Sequence, residues 1–169
     1  MSSFNSYYHS VDPATKKIHG ENILNSSSDA IFITVNMVGV MGAGLAKAAA
    51  NKWPHLLEVY RQHLRKGILK LGKVSVVPID HRVVILIATK DHWKNPSKLE
   101  WIIQGLENFK ERTVNGELWN ISSVAIPPLG SGLGGLNWDR VVKPKVYSVL
   151  NNWDGTVNLY EPMDYDIPI

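Results

Sequence analysis

Ala30-Ile31-Phe32-Ile33-Thr34-Val35-Asn36-Met37-Val38-Gly39-Val40-Met41-Gly42-Ala43-Gly44-Leu45-Ala46-Lys47 reads as strand, asparagine, glycine loop and helix start, in that order. The strand has too little polarity to sit at an edge, so burial on both faces is expected. The loop and the helix N-terminus aim backbone N–H groups at one spot, an arrangement that holds a pyrophosphate without a lysine. Downstream, Val124-Ala125-Ile126 leads into a second loop, Pro127-Pro128-Leu129-Gly130-Ser131-Gly132-Leu133-Gly134-Gly135-Leu136. Two such loops on one small domain imply a nucleoside diphosphate gripped from two sides. A Rossmann fingerprint fits poorly: Gly42 and Gly44 are followed by Lys47 rather than a third glycine. No acidic residue stands at a strand end about 20 positions on. Neither loop ends in the Gly-Lys-Ser/Thr of a Walker-type phosphate loop.

Strands and helices alternate through the rest of the chain. Residues 1–17, Ser-rich and Tyr-bearing, read as an extended arm or a loosely docked first strand, ahead of a single domain over 18–169. Ile18 to Leu24 reads as a short strand and turn. A helix is expected from Gly44 to about Lys66, with Leu45, Ala48, Ala49, Leu56, Val59, Tyr60 and Leu64 facing the core and Pro54 breaking it near Trp53. Val74–Ile79 and Arg82–Ala88 read as a hairpin turning at Asp80-His81. A second helix runs from Ser97 to about Arg112, with Ser97 as N-cap and Glu100 completing a capping box. Ile121–Ile126 and Val157–Tyr160 are further strands. The helix from Asp139 meets Pro144 after one turn. Trp53 and Trp101 read as core residues, and Trp138 as packed beneath the second loop. The pattern is α/β, a three-layer α/β/α arrangement with a mixed, largely parallel central sheet.

Composition narrows the chemistry. The 169 residues suit one domain, and 44% apolar content can fill its core. The net charge of +3 comes without a dense basic run, so it tolerates an anionic ligand but is no nucleic-acid footprint by itself. With no cysteine, disulfides, thiolate metal sites and cysteine nucleophiles are excluded. That suits a reducing cytoplasm. No apolar run approaches the length of about 20 residues a membrane span needs. The first residues lack the basic start and apolar stretch of a secretory signal. The six histidines and the carboxylates show no ligand spacing, so neither a metal nor another cofactor is expected.

Four ordered segments together resemble the macro domains. They are the first loop with its Trp53-Pro54 break; Ile87-Ala88-Thr89-Lys90-Asp91-His92-Trp93; Ser97-Lys98-Leu99-Glu100 with Gly105-Leu106; and Pro128 to Trp138. The likeness runs from about Ile18 to Tyr160. It is greatest to the branch holding the antitoxin of the DarT–DarG DNA ADP-ribosylation system, and weaker to the human terminal ADP-ribose protein glycohydrolase. The resemblance implies ADP-ribose bound at the C-terminal ends of the strands, and hydrolysis of an ADP-ribosyl bond. It places Asn22, followed by Ile23, at the adenine. It places Asn36 at the distal ribose, and Gly39, Val40, Met41, Gly42, Gly44 and Leu45 on one side of the pyrophosphate. Gly130, Ser131, Gly132, Leu133, Gly134 and Gly135 would lie on the other side. Thr89, His92 and Trp93 would border the substrate, and Lys90 falls on the lysine this branch uses in catalysis. Two positions depart from the pattern. Ile33 replaces the branch's first asparagine, and Gly134 stands where the human enzyme has an aspartate, which puts an aspartate-assisted mechanism in doubt.

Each of these residues also has a plainer reading. Lys90 can be a surface lysine closing a strand, Asn36 a turn former, and His92 with Trp93 a satisfied loop histidine beside a buried ring. The expected function is removal of ADP-ribose from a modified target by a monomer with no membrane association, ADP-ribosylated DNA bases being favoured over protein esters. A non-catalytic ADP-ribose-binding module and an ADP-ribose 1″-phosphate phosphatase are the alternatives.

Overall fold

A computed structural model describes residues 2–11, 18–20 and 22–162. Its centre is a seven-stranded sheet in the order β2-β1-β7-β6-β3-β5-β4. The strands are β1 (Ser3–Val11), β2 (Ile18–Gly20), β3 (Ala30–Asn36), β4 (Val74–Pro78), β5 (Val83–Lys90), β6 (Ser123–Ile126) and β7 (Thr156–Pro162). The five inner strands run parallel, and β2 and β4 close the two edges antiparallel. Helices α1 (Gly44–Lys52), α2 (Pro54–Arg65), α3 (Leu99–Val114) and α4 (Lys143–Leu150) complete the sandwich.

The period-two pattern of the central strands divides the core. Ala30 and Phe32 of β3, with Ile85 and Ile87 of β5, pack with α3 and α4. Ile31, Ile33 and Val35, with Val84, Leu86 and Ala88, pack with α1 and α2. Phe32 meets Phe109 of α3 edge to face at 5.1 Å. Ile33 is fully buried in this core, so the branch's first asparagine has no counterpart at the surface. Pro54 divides the expected long helix in two: Trp53 ends α1, and the proline opens α2 in its first turn, where its missing N–H costs nothing.

The structure takes one of two expected alternatives at residues 3–11 and differs from expectation at three other places. Residues 3–11 are not a free arm. They pair in register with β7 from Ser3–Thr156 to His9–Pro162, the docked-strand alternative; the remainder of that stretch, 1 and 12–17, lies outside the described residues. Helix α3 begins at Leu99 with Lys98 as N-cap and no side-chain cap bond, so Ser97 and Glu100 form no capping box. Trp101 is half-buried, with the Lys98 ammonium 4.7 Å from its ring centre. The helix expected from Asp139 opens as a π-turn over Trp138–Val142, and Pro144 stands in the first turn of α4.

Candidate functional site

The C-terminal edge of the parallel strands gathers three loops, where an α/β sheet presents ligands. β3 and β5 keep one register from Ala30–Val83 to Val35–Ala88, then shift so that Asn36 faces Lys90. The irregularity inserts Thr89 and re-aims the end of β5, as bulges beside functional sites do.

Asn36 is buried and shapes the first loop. Its Nδ2 donates to the Val40 carbonyl at 2.9 Å, and its Oδ1 accepts from the Val38 N–H at 3.0 Å and the Val40 N–H at 3.4 Å. The Tyr60 hydroxyl of α2 stands 2.5 Å from the Asn36 carbonyl oxygen and 2.9 Å from its Oδ1. Burial pushes the Tyr60 phenol up to about 12, though N–H groups of Gly39, Asn36 and Val40 and the Arg61 charge pull the other way. Arg61 donates from Nε to the Gly39 carbonyl at 2.9 Å, and Gly39 takes a φ of +86° that favours glycine. Met41 is buried beneath the loop. The loop ends at α1, whose N-cap Ala43 supplies no side-chain acceptor, so its first N–H groups carry no side-chain cap.

Lys90 lies between the other two loops. Its Nζ donates to the Trp93 carbonyl at 3.4 Å and to the Leu133 carbonyl at 3.5 Å. The Trp93 ring is half exposed, 5.2 Å from the His92 ring, with the Lys94 ammonium 5.1 Å from its centre. It is therefore not the buried ring of the plainer reading. His92 Nδ1 accepts from the Lys94 N–H, which fixes the other ring nitrogen as donor when the ring is neutral. Asp91 accepts from the Asn95 amide and the His92 N–H; the Asn95 bond foremost holds its carboxyl below the usual carboxylate range.

The second loop turns on Gly130, Gly132 and Gly135, all with φ near +70° to +80°. Leu133 is largely exposed at its tip, and Ser131 Oγ reaches the Leu129 carbonyl at 3.5 Å. Gly134 is buried against Ser97: a Cβ there would lie 2.4 Å from Ser97 Oγ. The position therefore has no room for the aspartate of the human glycohydrolase. Trp138, below the loop, donates its indole N–H to buried Glu161 at 3.0 Å, and Lys143 pairs with the same carboxylate oxygen at 2.5 Å.

Asn22 caps a short 3-10 turn over Ile23–Asn25; its Oδ1 accepts from the Leu24 N–H at 3.0 Å. The oxygen expected to accept from an adenine is thus already engaged once, while Nδ2 is not part of that bond. Ile23 is buried under it. Three residues that organise the site were not among the sequence candidates: Tyr60, Arg61 and Ser97. Tyr60 was legible only as a core position of α2 and Ser97 only as a helix cap, and nothing local marked Arg61. A depression of about 290 Å³ between α3 and α4, lined by Glu107, Lys110, Ser148, Val149, Asn151 and Asn152, shares no residue with the glycine loops.

Two glycine loops at the C-terminal edge of a mixed sheet, covered by helices on both faces, define the class. The chain belongs to the macro domain family, whose model, described as Macro domain, matches residues 34–144. It is 37% identical over 145 residues to a Mycobacterium tuberculosis protein named DNA ADP-ribosyl glycohydrolase, a match covering 83% of this chain and 40% of that protein. The chain thus spans about two fifths of the length of that relative. Among solved structures, the macrodomain of Mycobacterium tuberculosis DarG aligns with a TM-score of 0.79 at 31% identity, covering 95% of this chain and 98% of that one. Thermosipho africanus DarTG in complex with ADP-ribose aligns at 0.78 and 31% identity, covering 89% of this chain and 42% of that one.

Proposed function

We propose that this chain is an ADP-ribosyl hydrolase that holds ADP-ribose between the loops 37–44 and 129–136 and releases it from a modified target, with ADP-ribosylated DNA bases as the substrate. The observation that carries the reading is the place of Lys90. It ends β5, faces Asn36 across the sheet, and sets its amine between the carbonyls of Trp93 and Leu133. This amine, at the junction of the three loops, is placed to meet the anomeric carbon of a bound distal ribose. The names of the relatives and the ADP-ribose in the Thermosipho complex support both the ligand and the DNA substrate. A monomer working in the cytoplasm belongs to the same reading. Among the described residues no helix is long and apolar enough to cross a membrane.

Chemically, the amine leaves its two carbonyl acceptors, loses its proton and attacks the anomeric carbon. A new C–N bond forms as the bond to the base breaks, and the base departs with a proton. Water then hydrolyses the lysine adduct, which returns the amine and free ADP-ribose. Position 134 is a glycine, so the lysine acts without an aspartate from that position.

The test is release of ADP-ribose from modified DNA, followed by mass spectrometry beside ADP-ribose titration. Lys90→Ala should bind ADP-ribose about as well as wild type and release it about 10²-fold more slowly or worse. Lys90→Arg should also fail, because a guanidinium keeps its proton. The lysine N-glycoside opens its ribose ring to an imine, which borohydride should reduce and trap in wild type alone. Full hydrolysis by Lys90→Ala would refute the assignment. Binding by wild type without release from any ADP-ribosylated substrate would make the chain a binding module instead.

A further inference from the structure

We propose that Ser97 is a positioning residue that clasps the second glycine loop to the end of β5 and so sets the separation between Lys90 and the diphosphate; this rests on the reading of that loop as a phosphate cradle. Ser97 is buried, although Asp91 and residues 93–96 before it are exposed. Three contacts converge on it. Its N–H donates to the Gly134 carbonyl at 3.0 Å. Its Oγ donates to Thr89 Oγ1 at 3.1 Å, one residue before Lys90. Its own atoms occupy the space of a missing side chain: a Cβ on Gly134 would stand 2.4 Å from Ser97 Oγ and 3.0 Å from its Cβ.

The loop therefore lies on Ser97 with no spare room, and Ser97 in turn is fixed to the bulged end of β5. The next residue repeats the attachment, since the Lys98 N–H donates to the Thr89 carbonyl at 3.0 Å. Lys90 bridges the same two parts through the Leu133 carbonyl. Gly134 does not take a left-handed φ. An alanine there is excluded by Ser97 alone, not by its own backbone, and that makes the contact separable.

The experiment is a double-substitution cycle read by ADP-ribose affinity, with release from modified DNA alongside. Ser97→Ala keeps the Cβ and removes the hydroxyl. It should weaken ADP-ribose about threefold to tenfold and lower kcat comparably. Gly134→Ala should weaken binding at least about tenfold by overpacking. On a Ser97→Gly background the same Gly134→Ala change should cost less than about threefold, because the atoms it strikes are gone. Additive losses, or a folded Ser97→Ala with wild-type Kd and kcat, would overturn the proposal while leaving the phosphate-loop reading intact. A wild-type chain that binds no ADP-ribose would overturn both. If Gly134→Ala does not fold alone, folding of the double variant supports the clasp, and failure of both variants with an unaltered Ser97→Ala refutes it.

Discussion

Tyr60→Phe tests whether α2, and not the loop itself, holds the first glycine loop in shape. The phenol is fully buried, and its oxygen stands 2.5 Å from the Asn36 carbonyl and 2.9 Å from Asn36 Oδ1. Removing the hydroxyl leaves a buried acceptor short of a donor, which costs about 1–3 kcal/mol. The lower half of that range applies, because Asn36 Oδ1 keeps the Val38 N–H at 3.0 Å. A loss of about 1–2 kcal/mol lowers the thermal midpoint of a chain this size by roughly 2–8 °C. ADP-ribose affinity should fall several-fold, since residues 37–41 lose their anchor. The alkaline limb gives an independent check. Burial raises the phenol from 10.0 to about 12, so the protonated folded form is favoured. A group raised on folding contributes in full below its unfolded value and loses that contribution as pH rises through the folded one. Wild type is therefore at full stability below pH 10 and loses stability toward pH 12 as the buried phenol ionises. The phenylalanine variant has no such titration. Its deficit against wild type should narrow across that window in denaturant unfolding series. Equal thermal midpoint and Kd in the two proteins, or a gap that stays constant through the alkaline range, would refute the reasoning.

Glu161 should govern the acid limb. Burial pushes its carboxyl up, but hydrogen bonds from Lys143, Trp138 and Ser6 outweigh it and hold it below 4.5. Its contribution is present above that value and lost as pH falls below it, so Glu161→Gln should lower stability at neutral pH and flatten acid unfolding followed by circular dichroism. Gly132→Val should weaken ADP-ribose binding through strain alone, by up to about 1–3 kcal/mol, since its φ is +72° and no atom lies within 4 Å of the added Cβ. Gly42→Val meets only Val40 Cγ1 at 3.3 Å on a backbone that is not left-handed; it should fold normally and still block the diphosphate, as titration with ADP-ribose, ADP and AMP would show. A Gly42→Val protein that binds normally would remove that loop from the cradle.

The frame of the fold was legible because its signals are local and repeated. The largely apolar run of β3 reads as a strand buried on both faces, and Pro54 had to interrupt the helix after Gly44. What stayed hidden depends on partners distant in the chain. Ser97 and Glu100 have capping-box spacing, but Ser97 is drawn under Gly134, 37 positions away, and a tertiary contact overrides the local cap. β1 carries Asn5, Ser6 and His9 and has no apolar run; its strand character comes from pairing with β7, over 150 residues later. Arg61 looked like any exposed helix arginine, and only the fold brings its Nε to the Gly39 carbonyl.

The same distinction explains how the candidate site divides its labour. Asn36 spends its amide on the loop that follows it, with one Nδ2 hydrogen given to Val40 and Oδ1 shared by Val38 and Val40. An asparagine so committed is first a shaper of the loop, and it can offer a sugar only the other Nδ2 hydrogen. The amine of Lys90 is tied more loosely, by two bonds of 3.4 and 3.5 Å at the long end of the hydrogen-bonding range. Long bonds to carbonyls cost little to break, so the lysine is the group that can move when a ligand arrives. The register shift between Val35 and Asn36 sets these two side chains opposite each other. Without it Asn36 would face Thr89, whose hydroxyl is held by Ser97 on the α3 side of the sheet. One inserted residue in β5 thus places a rigid loop former against a displaceable amine.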